Sequence, residues 1–299
     1  MSDRENLSKR SIPHMTLARP SETPTPGAHN EITASDTAAS RFAAPKTAIV
    51  TGGTGALGSA VCLALLQHGC KGIAIFDLNV SSPASQDLLT RLRSSHPDAT
   101  IIEYDVDVTD EKAVDTAIED AASRLPGNGG IGALICTAGI VQCAHALDLS
   151  VDAFRKIIDV NTVGAFVCAR AAARRMITAE EGGRIVFTAS ISAHRTNFPQ
   201  PQIGYNVSKG ALLMLARSLA AEWARYGIRV NTVSPGYLDT VLNEGEGLAE
   251  ARDTWCSRNP TGRMGRVEEI AGIILTLVSR AGSYVSGADW VVDGGGTVF

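Results

Sequence analysis

Tyr205 and Lys209 stand four residues apart in Tyr205-Asn206-Val207-Ser208-Lys209, a spacing that puts both side chains on one face of a helix. A free phenol titrates near about 10, too high for a base at neutral pH. A fixed ammonium beside it favours the phenolate and lowers that value. The pair therefore predicts a tyrosine that gives a proton to a carbonyl oxygen or takes one from an alcohol. Ser190 lies in Thr188-Ala189-Ser190-Ile191-Ser192, just past a predicted strand. Its hydroxyl is placed to donate to a substrate oxygen and stabilise charge developing there. Ser192 is a near rival for the same task. Asn161, in Asp159-Val160-Asn161-Thr162, is predicted in mid-helix. Asn forms helix poorly, which points to a side-chain role such as holding a water that links Lys209 to solvent.

A second group of residues suits a dinucleotide. Thr51-Gly52-Gly53-Thr54-Gly55-Ala56-Leu57-Gly58 joins an apolar run to a helical pattern. Gly52, Gly55 and Gly58 let the backbone turn tightly and approach a pyrophosphate, and the helix from Leu57 onward offers free N–H groups and a positive dipole end. Asp77 ends the next apolar run, 19 residues past Gly58, where an acid that binds the ribose hydroxyls is expected at about 20. A carboxylate there repels a 2′-phosphate, and no Arg or Lys occurs between Thr51 and Gly58. NAD(H) is favoured on this ground, with NADP(H) left open. Asp107 is an acceptor for the adenine amino group, with the Val108 backbone reading the ring. Thr137-Ala138-Gly139 follows the fourth predicted strand, where small Ala138 and Gly139 admit the nicotinamide ribose. In Pro235-Gly236-Tyr237-Leu238-Asp239-Thr240, the Leu238 backbone and the Thr240 hydroxyl are candidates to hold the carboxamide.

These residues need a scaffold, and the hydrophobic pattern supplies one. Apolar runs at 47–50, 72–77, 100–104, 133–136, 184–187, 228–233 and near 290–292 read as strands, mostly separated by helical segments. Largely apolar strands alternating with helices imply a parallel sheet covered on both faces. Right-handed crossovers make it α/β, a single Rossmann-type doubly wound sheet. Residues 1–45, rich in Ser, Thr, Pro and Ala, are expected to form a flexible tail, because they bury too little apolar surface to offset their ordering entropy. Residues 46–299 then form the catalytic domain. The stretch from Val241 to Pro260 is a candidate lid over the substrate.

Composition narrows the alternatives. The net charge is −4 with no basic block, which argues against a nucleic-acid surface. No apolar run reaches the length of a membrane span. The six cysteines form no Cys-x-x-Cys pair, and no Cys/His spacing suits a metal. Reduced thiols and a cytoplasmic location are the default expectation. His145 and His194 follow predicted strands and are candidates for the pocket wall, although loop histidines without chemistry are commoner.

The order of these motifs from about Lys46 onward resembles the short-chain dehydrogenase/reductase family. The resemblance implies a tetrad of Asn161, Ser190, Tyr205 and Lys209, in which Tyr is the acid/base and Ser orients the substrate. Lys holds the nicotinamide ribose and lowers the tyrosine pKa, while Asn supports a proton relay. It implies hydride transfer between NAD(P) and a small-molecule secondary alcohol or ketone, and a homotetramer or homodimer. The sequence departs from the family pattern in three places. Ala56 replaces a glycine of the usual TGxxxGxG. Cys136-Thr137-Ala138-Gly139 replaces NNAG, so the side-chain amides that brace the sheet centre are expected to be missing. The gap from Ser190 to Tyr205 is 15 residues, against the family's common 13, which Ser192 would give. Ser190-Ile191-Ser192-Ala193-His194, followed by Asn197-Phe198-Pro199-Gln200-Pro201-Gln202, is similar to fungal and yeast sorbose reductases, mannitol and arabinitol dehydrogenases and carbonyl reductases. That subgroup uses the first serine, so Ser190 is chosen. Ketoreduction in secondary metabolism, an acyl-carrier-protein ketoreductase and a dinucleotide-sensing regulator on the same fold are the alternatives.

Overall fold

The computed structural model describes residues 13–19, 37–240, 243 and 245–299. The expected tail, residues 1–45, falls largely outside the described residues. Within it, Thr37 caps a helical turn at Ala38–Arg41, and Ala44 already packs against the body of the protein.

Strands β1 (Thr47–Thr51), β2 (Gly72–Asp77), β3 (Thr100–Asp105), β4 (Ala133–Cys136), β5 (Gly183–Thr188), β6 (Ile228–Pro235) and β7 (Asp289–Val292) form one sheet in the order β3-β2-β1-β4-β5-β6-β7. Every neighbouring pair is parallel. Side chains alternate between the two faces of a strand, and here both faces are apolar. Ile49, Phe76, Leu134, Phe187 and Val230 point into one core. Val50, Ile75, Ile135, Val186 and Val233 point into the other. The first core is covered by α3 (Glu111–Arg124), α5 (Gly164–Ala179) and α6 (Ile203–Trp223). The second is covered by α1 (Ala56–Gln67), α2 (Pro83–Ser95) and α8 (Val267–Val278). The remaining helices, α4 (Val151–Ile158) and α7 (Ala249–Ser257), lie outside these two layers.

Local chemistry sets where helices begin. Ser82, Asp110 and Ser150 each accept a backbone N–H of the first turn, capping α2, α3 and α4. Asn161 does not lie in regular α-helix as its sequence context suggests. It sits in a π-helical turn, Asp159–Val163, between α4 and α5, and such bulges often mark functional positions.

The strand order reverses between β1 and β4. Crossovers therefore diverge there and leave a crevice at the carboxyl ends of the strands, where ligands of such sheets bind. Among the described residues no helix is long and apolar enough to cross a membrane, and no cluster of metal-ligating side chains occurs. All six cysteines are free, and Cys62, Cys70, Cys136 and Cys168 are buried.

Candidate active site

The glycine-rich turn after β1 opens the crevice. Gly52 has φ +63°, and a Cβ there would stand 2.7 Å from the Ala138 nitrogen. At Gly58 a Cβ would stand 2.2 Å from the Gly52 carbonyl oxygen. Only hydrogen fits at either place, so the turn and the loop after β4 stay in close contact. Gly55 caps α1 without a side-chain bond, which leaves the first N–H groups of the helix free for an anion. Ala56 is exposed as the first residue of α1, so the missing family glycine obstructs nothing. Leu57 packs against the second core and anchors this turn.

Asp77 does more than end its strand. Its Oδ2 accepts from the Thr54 N–H at 3.0 Å and the Thr54 hydroxyl at 2.5 Å, and Oδ1 accepts from the Leu78 N–H at 2.9 Å. The carboxylate thereby fixes the glycine-rich turn against β2. Asp107 is exposed and holds the Thr109 N–H and hydroxyl, while Val108 is buried. The turn after β4 is braced by a different group from the expected amides. The Thr137 hydroxyl donates to the Thr51 carbonyl at 2.6 Å, and the Ala138 N–H donates to the Thr51 hydroxyl at 3.3 Å. The brace is therefore present, made by hydroxyls. Gly139 passes close to Asn161 and Lys209, since a Cβ there would be 3.2 Å from Asn161 Oδ1 and 3.6 Å from Lys209 Nζ. Glycines that a Cβ would obstruct, an open helix N-terminus and a fixed acid together fit a dinucleotide.

Asn161 is buried and fully engaged. Its Nδ2 donates to the Ile140 carbonyl and to the Ser208 hydroxyl, both at 2.9 Å, and its Oδ1 accepts from the Ile140 N–H at 2.8 Å. Ser208 donates in turn to the Tyr205 carbonyl at 2.7 Å. The π turn thus pins the first turn of α6 to the loop after β4. That role belongs to the Asn161 side chain, where the sequence suggests a held water. Ser208, one residue before Lys209, is a member of the site that sequence reasoning missed.

Tyr205 is half-buried and Lys209 is buried. Lys209 Nζ stands 5.4 Å from the centre of the Tyr205 ring and donates to the Thr188 carbonyl at 2.6 Å. Burial pushes the Tyr205 phenol up, the Ser190 hydroxyl holds it down, and nearby Tyr237 pushes it up. The expectation that Lys209 lowers the tyrosine is not met in the protein alone. Burial dominates the shift of Tyr205, to which Lys209 does not contribute, and burial also pulls the Lys209 ammonium down to about 8. Of the two rival serines, Ser190 is the one that bears on the ionisation of Tyr205. Ser192 accepts from Gln202 Nε2 at 3.3 Å and from Ser190 Oγ at 3.0 Å.

After β6 the Leu238 carbonyl accepts from Asn243 Nδ2 at 2.8 Å, and Leu238 bridges to Gly265. Thr240 is half-buried, and its carbonyl accepts from the Asn243 N–H at 2.8 Å. Of the candidate lid, Val241, Leu242 and Glu244 fall outside the described residues. The rest includes α7, whose Trp255 stacks on Tyr237 with ring centres 4.1 Å apart. His194 Nε2 bonds Asp289 Oδ2 at 2.8 Å, and His145 is exposed.

Comparison with known proteins agrees with this geometry. The family model described as Enoyl-(Acyl carrier protein) reductase matches residues 53–297. The short chain dehydrogenases/reductase notP' of Aspergillus versicolor is 38% identical over 84% of this chain and 86% of its own length. The ribulose-forming D-arabinitol 2-dehydrogenase of Candida tropicalis is 37% identical over 84% of this chain and 92% of its own. A gluconate 5-dehydrogenase from Burkholderia cenocepacia, solved with NADP and tartrate, superposes with a TM-score of 0.78 at 31% identity. That match covers 88% of this chain and 100% of the other. The chain belongs to the short-chain dehydrogenase/reductase family and is an NAD(P)-dependent oxidoreductase acting on CH–OH groups.

Proposed function

We propose that the chain interconverts a polyol and a ketose, or a similar secondary alcohol and ketone, with Tyr205 as the acid/base. The reading rests on one arrangement. Tyr205, Ser190 and Lys209 meet at the carboxyl ends of the strands beside the glycine turn. Relatives named for arabinitol, galactitol and sorbose support the substrate class. The bound nicotinamide supplies or accepts the hydride. Ser190 donates to the substrate oxygen, and Tyr205 gives or takes the proton at that same oxygen. Lys209, held by Thr188, keeps its other N–H groups for a ribose, and Asn161 keeps α6 and the loop after β4 in register. Gly52, Gly55, Leu57, Gly58, Ala138 and Gly139 shape the cradle, Asp107 and Val108 border the adenine, and Leu238 and Thr240 border the carboxamide. The assembly is a homotetramer or homodimer. Val207 and Met214 are exposed on α6, which suits a face covered by a second copy.

Purified protein with NAD and a panel of polyols, or NADH and ketoses, should change nicotinamide absorbance. Cofactor binding without turnover across the panel would instead mark a dinucleotide sensor.

NAD(H) is the favoured cofactor, because the fixed Asp77 carboxylate accepts from ribose hydroxyls and repels a 2′-phosphate. Asp77→Asn keeps an acceptor for Thr54 and removes the charge. It is expected to weaken NADH binding and raise NADPH binding, shifting the ratio of dissociation constants by about tenfold to a hundredfold. Cofactor fluorescence titration measures this without turnover. Wild-type protein that already binds NADPH more tightly would refute the assignment.

A further inference from the structure

The loop after β5 and helix α7 meet beside the cleft through a polar network that the chemistry of Tyr205 leaves unused. The Trp255 indole N–H donates to Gln200 Oε1 at 3.1 Å. An indole nitrogen only donates, so this bond settles which end of the Gln200 amide is oxygen. Gln200 Nε2 then donates to the Tyr237 hydroxyl oxygen at 2.9 Å. Asn197 Nδ2 donates to the same oxygen at 2.8 Å. The Tyr237 ring lies flat on Trp255, with planes 6° apart, and Trp255 is buried. Ring and oxygen are both held in place.

A phenol carries one proton to donate. At Tyr237 both amides meet the oxygen, Asn197 Oδ1 is itself buried without a partner, and no other acceptor for the phenolic proton occurs among the described residues. Tyr237 follows β6 by two residues, at the carboxyl end of the sheet. It stands near enough to Tyr205 to oppose ionisation of that phenol. Two phenols therefore stand at the carboxyl ends of the strands, and Ser190 bears on the first.

We propose that Tyr237 is a specificity-determining residue that donates its phenolic proton to a substrate hydroxyl on the carbon next to the reacting one. The assignment rests on Tyr205 as the acid/base. It makes α-hydroxy ketones and vicinal diols the preferred substrate class over isolated ketones and alcohols. A substrate without that hydroxyl leaves the Tyr237 proton without this partner, and sites built to hydrogen-bond a substrate hydroxyl discriminate strongly.

The test is Tyr237→Phe, which keeps the ring stacked on Trp255. Kinetics are compared on a ketopentose and on 2-pentanone, which has no neighbouring hydroxyl. Wild type is expected to prefer the ketopentose. The variant should lose about tenfold to a hundredfold in kcat/KM on it, chiefly through KM. Its rate on 2-pentanone should stay within about threefold, and reduction should stay insensitive to pH across the neutral range. An equal fall on both ketones would make Tyr237 a structural wall only. No change on either would mean that its proton is spent on Asn197. Either result overturns the proposal, as does a wild type indifferent to the hydroxyl. Should Tyr237→Phe prove unstable, Trp255→Phe removes the indole donor that orients Gln200 and keeps an aromatic stack. A selective loss on the ketopentose is again expected, and a non-selective one or none overturns the proposal. Failure of the Tyr205 assignment looks different, because Tyr205→Phe would then retain activity on both ketones.

Discussion

Tyr205→Phe is expected to lower kcat by about 10²- to 10⁴-fold, the usual contribution of a positioned acid or base. The dissociation constant of the cofactor should change by no more than a few-fold. The substitution removes one oxygen and leaves the ring, the π turn and the Asn161–Ser208 tie to α6 in place. Burial and Tyr237 raise the Tyr205 phenol above its ordinary value, against the opposing pull of Ser190. Near neutrality Tyr205 therefore carries its proton, ready to give it to a carbonyl oxygen. Reduction should be insensitive to pH across the neutral range. Alcohol oxidation needs the phenolate and should accelerate with rising pH. Steady-state kinetics in both directions, with the Phe variant as reference, measure this. A variant retaining a tenth of wild-type turnover would remove Tyr205 from the chemistry.

The sheet was legible because each strand is apolar on both faces. Ile49 and Val50 fill opposite cores, as do Leu134 and Ile135. A doubly covered parallel strand leaves that pattern and few others do. The strands at Gly72–Asp77 and Ala133–Cys136 lie where the apolar runs place them. Tyr205 and Lys209 were legible for a similar reason, since four residues of helix fix their relation whatever surrounds it.

Contacts between distant segments were not legible. Thr54 reaches Asp77 across two strand ends, and Gln200 reaches Trp255 across 55 residues. Neither pair has a spacing signature. Thr137 replaces an expected amide brace with a hydroxyl, because the sheet centre requires a donor near the Thr51 carbonyl, which a hydroxyl also provides. The rivalry between Ser190 and Ser192 likewise needed three dimensions. A short 3₁₀ turn, capped by Ser190 itself, brings Ser192 within reach of Gln202, while Ser190 is the serine that bears on the Tyr205 phenol. Local pattern therefore locates the proposed acid/base pair, while tertiary contacts determine what surrounds it.

Lys209 shows what this site demands of the fold, and Lys209→Met should expose it. The ammonium is buried, and desolvation pulls its pKa to about 8, against about 10.4 in an unfolded chain. Below pH 8 the lysine is charged in both states, and the native state bears the whole penalty, on the order of 3 kcal/mol. Between pH 8 and about 10.4 the native lysine has lost its proton while the unfolded one keeps it, so stability rises with pH through that window. Above the window the penalty is gone. Met removes the charge and leaves the Thr188 carbonyl without its donor, a loss of about 1–3 kcal/mol. Relative to wild type, the variant should therefore be most favoured below pH 8 and should lose ground steadily toward pH 10. Urea unfolding at pH 7 and pH 9.5 measures the change. Turnover at pH 7 should meanwhile fall by about 10²-fold or more, as Tyr205 loses its cationic neighbour. A stability difference that ignores pH would show that Lys209 is not held charged out of water. A pH-dependent difference together with lost turnover would show a fold that keeps a destabilising ammonium because the reaction needs it.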